Sequence, residues 1–199
     1  MNSAALERAI RRGASHARAD ESCGMCGNAV EERHVHLLDE EQGTLLCACR
    51  ACAVLFPDEQ GRYRKVPRRR LRLTGVRPDD LGVPVGLAFF TSGADGAVTA
   101  HYPSPAGATG WTVEPAAWEA AVASCPPLAT LRPGVEALLV NTLRDADERW
   151  LVPVDDCYRL VAVVRGSWKG LSGGTRVWPE IEAFFARLKE GESCDETWG

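Results

Sequence analysis

The residues with the most definite chemistry in this sequence are cysteines, and they are crowded. Five of the eight in the 199-residue chain, Cys23, Cys26, Cys47, Cys49 and Cys52, fall between positions 22 and 56. Cys23-x-x-Cys26 and Cys49-x-x-Cys52 are two pincers with 22 residues between them, close to the paired spacing of a four-thiolate metal site. Thiolates are soft donors, and four of them set tetrahedrally select zinc, or iron in a rubredoxin-like centre. Cys23, Cys26, Cys49 and Cys52 are therefore the expected ligands, zinc the expected ion and iron the alternative. Cys47 is surplus: it could replace Cys49, or lie beside the site as a thiol donor. His34 and His36 share one face of an extended segment, where either could be a ligand or a donor to one. The plainer reading makes them exposed or partly packed strand residues.

The elements around these donors follow from local pattern. Cys23-Gly-Met-Cys26-Gly27 reads as a knuckle, in which Gly27 permits a positive φ just after the second thiolate and turns backbone N–H groups toward sulfur. His34-Val-His36-Leu-Leu alternates like a strand, Asp39-Glu-Glu-Gln-Gly43 is a turn, and Thr44-Leu-Leu-Cys47-Ala returns. Residues 50–56 read as a short helix stopped near Pro57, with Cys52 expected to gain from the positive end of the helix dipole, which lowers a thiol pKa. Knuckle, hairpin and ligand-bearing helix together resemble a treble-clef zinc finger. The second pincer lacks the glycine that follows Cys26, which leaves fewer N–H···S bonds and disfavours rubredoxin.

A second stretch with chemical content follows. Residues 62–72 carry seven basic side chains, Arg62, Arg64, Lys65, Arg68, Arg69, Arg70 and Arg72. Such a run is what contact with nucleic acid or another anionic partner would look like. The plainer reading is a solvated strand or linker, since Pro67 interrupts any recognition helix and one tyrosine is a thin stacking platform. His101, followed by Tyr102 and Ser104, is the best candidate for an enzymatic pocket rim, although a half-buried strand histidine is the simpler expectation. Ser104-Pro-Ala-Gly107 lacks a nucleophile elbow, and Ser172-Gly-Gly-Thr175 lacks the lysine and spacing of a phosphate loop. A closed four-thiolate site also lacks the open position of catalytic zinc. No catalytic residue is assigned, and the chain is read as not an enzyme.

Composition sets the frame. Apolar content of 45%, charged content of 25% and a net charge of −4 are ordinary for a water-soluble chain. No stretch approaches the roughly 20 apolar residues needed to span a bilayer, and the first residues lack the apolar core of a secretory signal. A cytoplasmic location is expected, where clustered thiols favour metal or redox chemistry over disulfides.

The chain divides into a mobile arm (1–21, carrying His16), a metal module (22–57), a basic connector (58–82), an α+β domain (83–190) and a frayed tail (191–199). In the α+β domain, 83–91 and 97–102 form a hairpin, 103–110 a loop, and 114–124 a helix with Pro115 in its first turn. Residues 135–142 and 149–153 pair, Asp155 and Asp156 cap a helix over 157–166, and 178–190 form a last amphipathic helix. The fold class is α+β: a small treble-clef-like zinc module, then a domain with an antiparallel sheet and helices on one face. Cys125, Cys157 and Cys194 read as packing or tail thiols, and the tryptophans as core and edge packing.

The motifs C-G-M-C-G, H-V-H-L-L-D and L-L-C-A-C-R-A-C-A-V-L-F, with the later V-G-L-A-F-F, Y-P-S-P-A-G-A-T and W-L-V-P-V-D-D-C-Y-R-L-V, resemble an uncharacterised bacterial family of about 200 residues. The resemblance covers roughly residues 20–190, and the family's cysteine pattern maps onto Cys23, Cys26, Cys47, Cys49 and Cys52. Members of that family are often encoded near uptake nickel–iron hydrogenase genes. This implies a hydrogenase assembly factor, or an electron carrier serving the hydrogenase, and brings no catalytic residues with it. The expected function is thus a zinc-binding accessory protein that docks on a protein partner, without membrane insertion. The alternatives are a rubredoxin-like iron carrier and a nucleic-acid-binding zinc-finger protein.

Overall fold

The computed structural model describes residues 21–55, 61–82, 86–169 and 175–191. The expected arm with His16, the tail with Cys194, the stop at Pro57 and the glycine-rich 170–174 lie outside the described residues. The chain divides into two compact units, Met1–Pro67 and Arg68–Gly199. The described residues are α+β, with antiparallel sheets in both units.

The first unit holds a three-stranded antiparallel sheet in the order β2-β1-β3, from β1 (Val35–Asp39), β2 (Thr44–Ala48) and β3 (Tyr63–Lys65). A five-residue helix, α1 (Arg50–Val54), follows β2. The β1–β2 hairpin closes because Asp39 is both strand end and turn former. Its Oδ1 accepts the amides of Glu41 (3.1 Å) and Gln42 (3.2 Å), and its carbonyl accepts that of Gly43 (2.7 Å). Gly43 sits at φ 60, a left-handed conformation that glycine adopts without a Cβ clash. The core of this unit is small: Leu37, Ala48 and Ala53, with Met25, Val35 and Tyr63 packed against them.

The second unit is built on a six-stranded antiparallel sheet. Its strands are β4 (Leu71–Arg72), β5 (Leu87–Ser92), β6 (Val98–Ser104), β7 (Gly107–Thr112), β8 (Glu136–Asn141) and β9 (Glu148–Pro153), in the order β4-β9-β8-β5-β6-β7. The helices are α2 (Pro115–Ser124), α3 (Val154–Ser167) and α4 (Val177–Gly191). Helices cover both faces of the sheet rather than one. Phe90, Ala100, Leu138, Val140 and Leu151 pack with Ala121 and Leu128 of the α2 region. Phe89, Leu139 and Trp150 alternate with these along the strands and are equally buried, under α3, which contacts β6 to β9. The central strands are apolar at consecutive positions, as in Leu87-Ala-Phe-Phe, so neither face can be left to water.

The segment read as a loop at 103–110 is a tight hairpin: β6 runs on to Ser104, and Ser104 pairs with Gly107 across Pro105 and Ala106. The stretch drawn as a basic connector supplies β3 to the first unit and β4 to the second. Asp155 and Asp156 do not cap α3. The helix starts at Val154, three residues earlier than expected, behind Pro153 and with no side-chain cap, and both aspartates lie in its first turn.

Candidate metal centre

The knuckle is built by backbone hydrogen bonds. Cys23 N–H donates to Asn28 O (2.7 Å) and Gly27 N–H to Cys23 O (2.8 Å), while a bridge between Ser22 and Ala29 closes the loop. Gly27 has φ 75, the conformation its position in the turn requires. Gly24 N–H donates to Cys47 O (2.8 Å), which ties the knuckle to β2. On the other side, the chain leaves β2 at Ala48 and turns directly into α1, with Cys49 as its N-cap residue in extended conformation. Ala53 N–H donates to Cys49 O at 2.9 Å, so one helical turn presents Cys49 and Cys52 to the knuckle.

The sulfurs of Cys23, Cys26, Cys49 and Cys52 all lie within 4.8 Å of one another. Cys26 Sγ and Cys49 Sγ are 3.7 Å apart. A tetrahedron with zinc–sulfur bonds of about 2.3 Å has edges of about 3.8 Å, so this edge already has the length a bound ion demands. Cys23 is buried, Cys49 and Cys52 half-buried, and Cys26 exposed.

Four thiols this close cannot all ionise without a cation among them. Burial acts to raise the Cys23 thiol, but the amides of Cys49, Cys26 and Met25 hydrogen-bond its sulfur and together bring it down to about 6. Cys52 is the opposite case. Its thiol is pushed up to about 12, first by Cys49 and then by Cys26, which overrides any benefit from the short helix. The Cys26 thiol is also raised, so the cluster has one sulfur brought down and two pushed up.

Cys47 does not join this set. It groups instead with His34 and His36, whose donor atoms and the Cys47 sulfur lie within 4.8 Å of one another. His36 and Cys47 are cross-strand partners in the hairpin. His34, one residue before β1, stacks edge-on against His36 with ring centroids 4.7 Å apart. These positions alternate with Val35, Leu37 and Ala48, so the trio occupies the face of the hairpin away from the small core. Direct sequence reading missed this separation. The signal was present in the turn: once Asp39 and Thr44 are its closing pair, counting back sets His36 opposite Cys47.

The basic stretch is dispersed over internal carboxylates. Arg62 forks onto Asp39 (Nη2–Oδ2 2.9 Å) and reaches Glu41 (3.0 Å), and Arg64 pairs with Glu40 (2.8 Å). Arg69 binds the fully buried Glu136 (2.8 Å) and donates to the Thr130 carbonyl, and Arg70 binds the fully buried Asp156. The Arg72 guanidinium lies 3.5 Å from the Asp147 carbonyl oxygen. Lys65 is half-buried on β3, and Arg68 is exposed just before β4. His101 is 6% exposed on β6, stacked on Phe89 at 4.7 Å and hydrogen-bonded through Nε2 to Thr91 Oγ1 at 2.9 Å. Burial holds its pKa down to about 4, so the ring is neutral near pH 7. Tyr102 beside it lines a separate recess of about 190 Å³ with Leu87, Leu143 and Trp168.

No helix among the described residues is long and apolar enough to cross a membrane. Residues 22–192 match the model of a family of unknown function (DUF5947). No curated protein and no solved structure matches the chain.

Proposed function

We propose that this chain, which belongs to that family of unknown function, is a cytoplasmic, non-enzymatic zinc-binding accessory protein that docks on a protein partner. Cys23, Cys26, Cys49 and Cys52 are the ligands in this reading. The observation that carries it is the convergence of four sulfurs from a knuckle and a helix start to within 4.8 Å. Among the described residues the apolar cluster of the first unit is small, with Leu37, Ala48 and Ala53 at its centre. A core that small supplies little folding energy, and an ion linking knuckle to helix supplies the rest. The two pincers differ in kind: amides converge on Cys23, whereas the neighbours that shift Cys52 are thiols. A rubredoxin-like iron site wants both halves rich in N–H···S bonds, so zinc is preferred. All four positions are filled by protein sulfur, which suits a structural ion rather than a hydrolytic one.

The partner reading rests on two supports. Val54 and Leu55 leave α1 79% and 73% exposed, two and three residues beyond Cys52, and form an apolar step beside the site. The family resemblance points to uptake nickel–iron hydrogenase or its maturation machinery as the partner. Metal analysis of the purified full-length chain tests the first half. A colourless protein with tightly held zinc that is lost in Cys23→Ser is expected. A red protein with thiolate-to-iron charge-transfer absorption and iron in place of zinc replaces the reading with that of an electron carrier. Purification from the native host tests the second half: hydrogenase or maturation subunits should accompany the wild type, and fail to accompany a Val54→Asp, Leu55→Asp variant that keeps its zinc.

A further inference from the structure

The two histidines and the surplus cysteine are more than neighbours of the four-thiolate cluster. We propose that His34, His36 and Cys47 form a second metal site, separate from the first, that takes a divalent ion of the zinc class and leaves a coordination position open.

Three observations lead to it. The three donor atoms lie within 4.8 Å of one another. Around a zinc-class ion with bonds of about 2.0–2.3 Å, donors sit roughly 3.3–3.7 Å apart, so side-chain rotation of about 1 Å closes the set. The positions are fixed by backbone: His36 and Cys47 face each other in the β1–β2 register, and the His34 ring rests against His36. Finally, His34 is held in the tautomer a ligand needs. Its Nδ1 lies 2.8 Å from Glu31 O. A carbonyl oxygen only accepts, so Nδ1 carries the proton and the lone pair of the neutral ring is on Nε2. A ring N–H fixed by a backbone carbonyl is the usual support of a metal-bound histidine. The His34 side chain is 6% exposed, and its Nε2 lies 3.6 Å from Glu21 Oε2. That carboxylate lies outside the three-donor group and supplies negative charge beside the ion.

The chemistry separates this site from the other. Two imidazoles and one thiolate are borderline donors that suit zinc, cobalt and nickel, whereas four thiolates are uniformly soft. Three protein ligands leave a position for water or an exogenous group, as in open zinc sites. The four-thiolate ion has its coordination filled by protein sulfur, and the second ion is exchangeable.

Cobalt(II) is the probe, because it reports ligand type by colour. The purified full-length chain is stripped of metal, reloaded with cobalt under reducing conditions, and followed by absorption and metal analysis. About two ions per chain are expected. The first brings intense charge transfer from four thiolates, and the second brings a weaker band from one. His36→Ala and Cys47→Ser should each hold about one ion and keep the four-thiolate spectrum. In Cys23→Ser the weaker band should survive. A wild-type chain that saturates at one ion, or a second ion that persists unchanged in both His36→Ala and Cys47→Ser, overturns the proposal. If a variant loses both ions because the hairpin fails, the wild-type titration decides alone: a second equivalent with one-thiolate charge transfer supports the site, and its absence ends it. A wild-type chain that shows the weak band without the intense one would count against the four-thiolate reading without touching this one.

Discussion

Arg70 closes on the buried carboxylate of Asp156 at two points, Nε to Oδ2 at 2.6 Å and Nη2 to Oδ1 at 3.0 Å. Asp156 is fully buried in the first turn of α3, and Arg159 adds a third contact from the same helix at 3.0 Å. A lone ionised carboxylate at that depth would be prohibitively costly, so the arginine is a structural requirement of the aspartate. Arg69 stands in the same relation to Glu136 on β8, with the Arg132 amide completing the carboxylate's partners.

The first prediction follows from that pairing. Arg70→Ala should destabilise the protein by about 3 kcal/mol, the lower end for removing one partner of a buried pair, because Arg159 remains. Chemical denaturation measures it. Arg70→Ala with Asp156→Leu should recover much of the loss, since an apolar pair of similar volume leaves no charge buried. If Arg70 instead served an anionic partner, the single variant would unfold like wild type.

Cys125 and Cys157, by contrast, are buried in the second unit and belong to neither cluster of donors found among the described residues. Cys125→Ser and Cys157→Ala should keep their full metal content, whereas Cys49→Ser should lose the four-thiolate ion. Mass spectrometry of the native protein distinguishes the three. Burial, with help from the carboxylates of Asp156 and Asp155, raises the Cys157 thiol well above its ordinary range, so thiol-modifying reagents should leave it untouched in the folded protein.

His101 makes a pH prediction with a definite sign. Its folded pKa, about 4, lies below the ordinary histidine value near 6.5 because the ring is buried. The unfolded chain therefore takes up this proton first as pH falls. Stability is unaffected above about pH 7, declines between about 6.5 and 4, and levels off below, a loss of up to about 3 kcal/mol. His101→Phe, stacked on Phe89, should flatten that part of the stability-versus-pH curve. An unchanged slope would place the acid sensitivity elsewhere.

Asp39 and Arg62 should behave unequally although they form one pair. Arg62 is 40% exposed, so Arg62→Ala should cost below about 1 kcal/mol. Asp39 is almost fully buried and also anchors two turn amides. Asp39→Ala should cost about 2 kcal/mol or more, because two turn amides and the Arg62 guanidinium lose their acceptor together. The Arg62 guanidinium holds the Asp39 carboxyl below the usual range, so the contribution is present at neutral pH and is lost as pH falls through that lowered value. Paired denaturation curves at pH 7 and pH 3 check both statements.

How much of this was legible in the sequence differs by element. The β1–β2 hairpin and α2 could be read because each carries its own signal: alternation around a turn in one, and a proline at the first helical position in the other. The short strands β3 and β4 could not. Two or three residues have no periodicity, and what makes them strands is the partner they find, β1 for one and β9 for the other. β7 was hidden for a related reason. Gly107-Ala-Thr-Gly-Trp-Thr has the composition of a loop, and pairing with β6 overrides it. The roles of Arg69 and Arg70 were equally opaque, because their carboxylate partners are more than 60 positions away in sequence. The four-thiolate cluster was the reverse case: pincer spacing announces itself locally, and the fold needs only to bring two pincers together.

The turn at Asp39 to Gly43 has a consequence for how the metal module can vary. Strand side chains alternate, so one inserted or deleted residue there would rotate every following position of β2 to the other face. Cys47 would then point into the small core and Ala48 toward the histidines, while the two pincers, carried on the knuckle and on α1 rather than on the hairpin faces, could still find one another. Turn length is thus a dial that changes which donors meet without changing a single donor. A homologue with a four- or six-residue turn at this place should keep the cysteine quartet and lose the mixed trio.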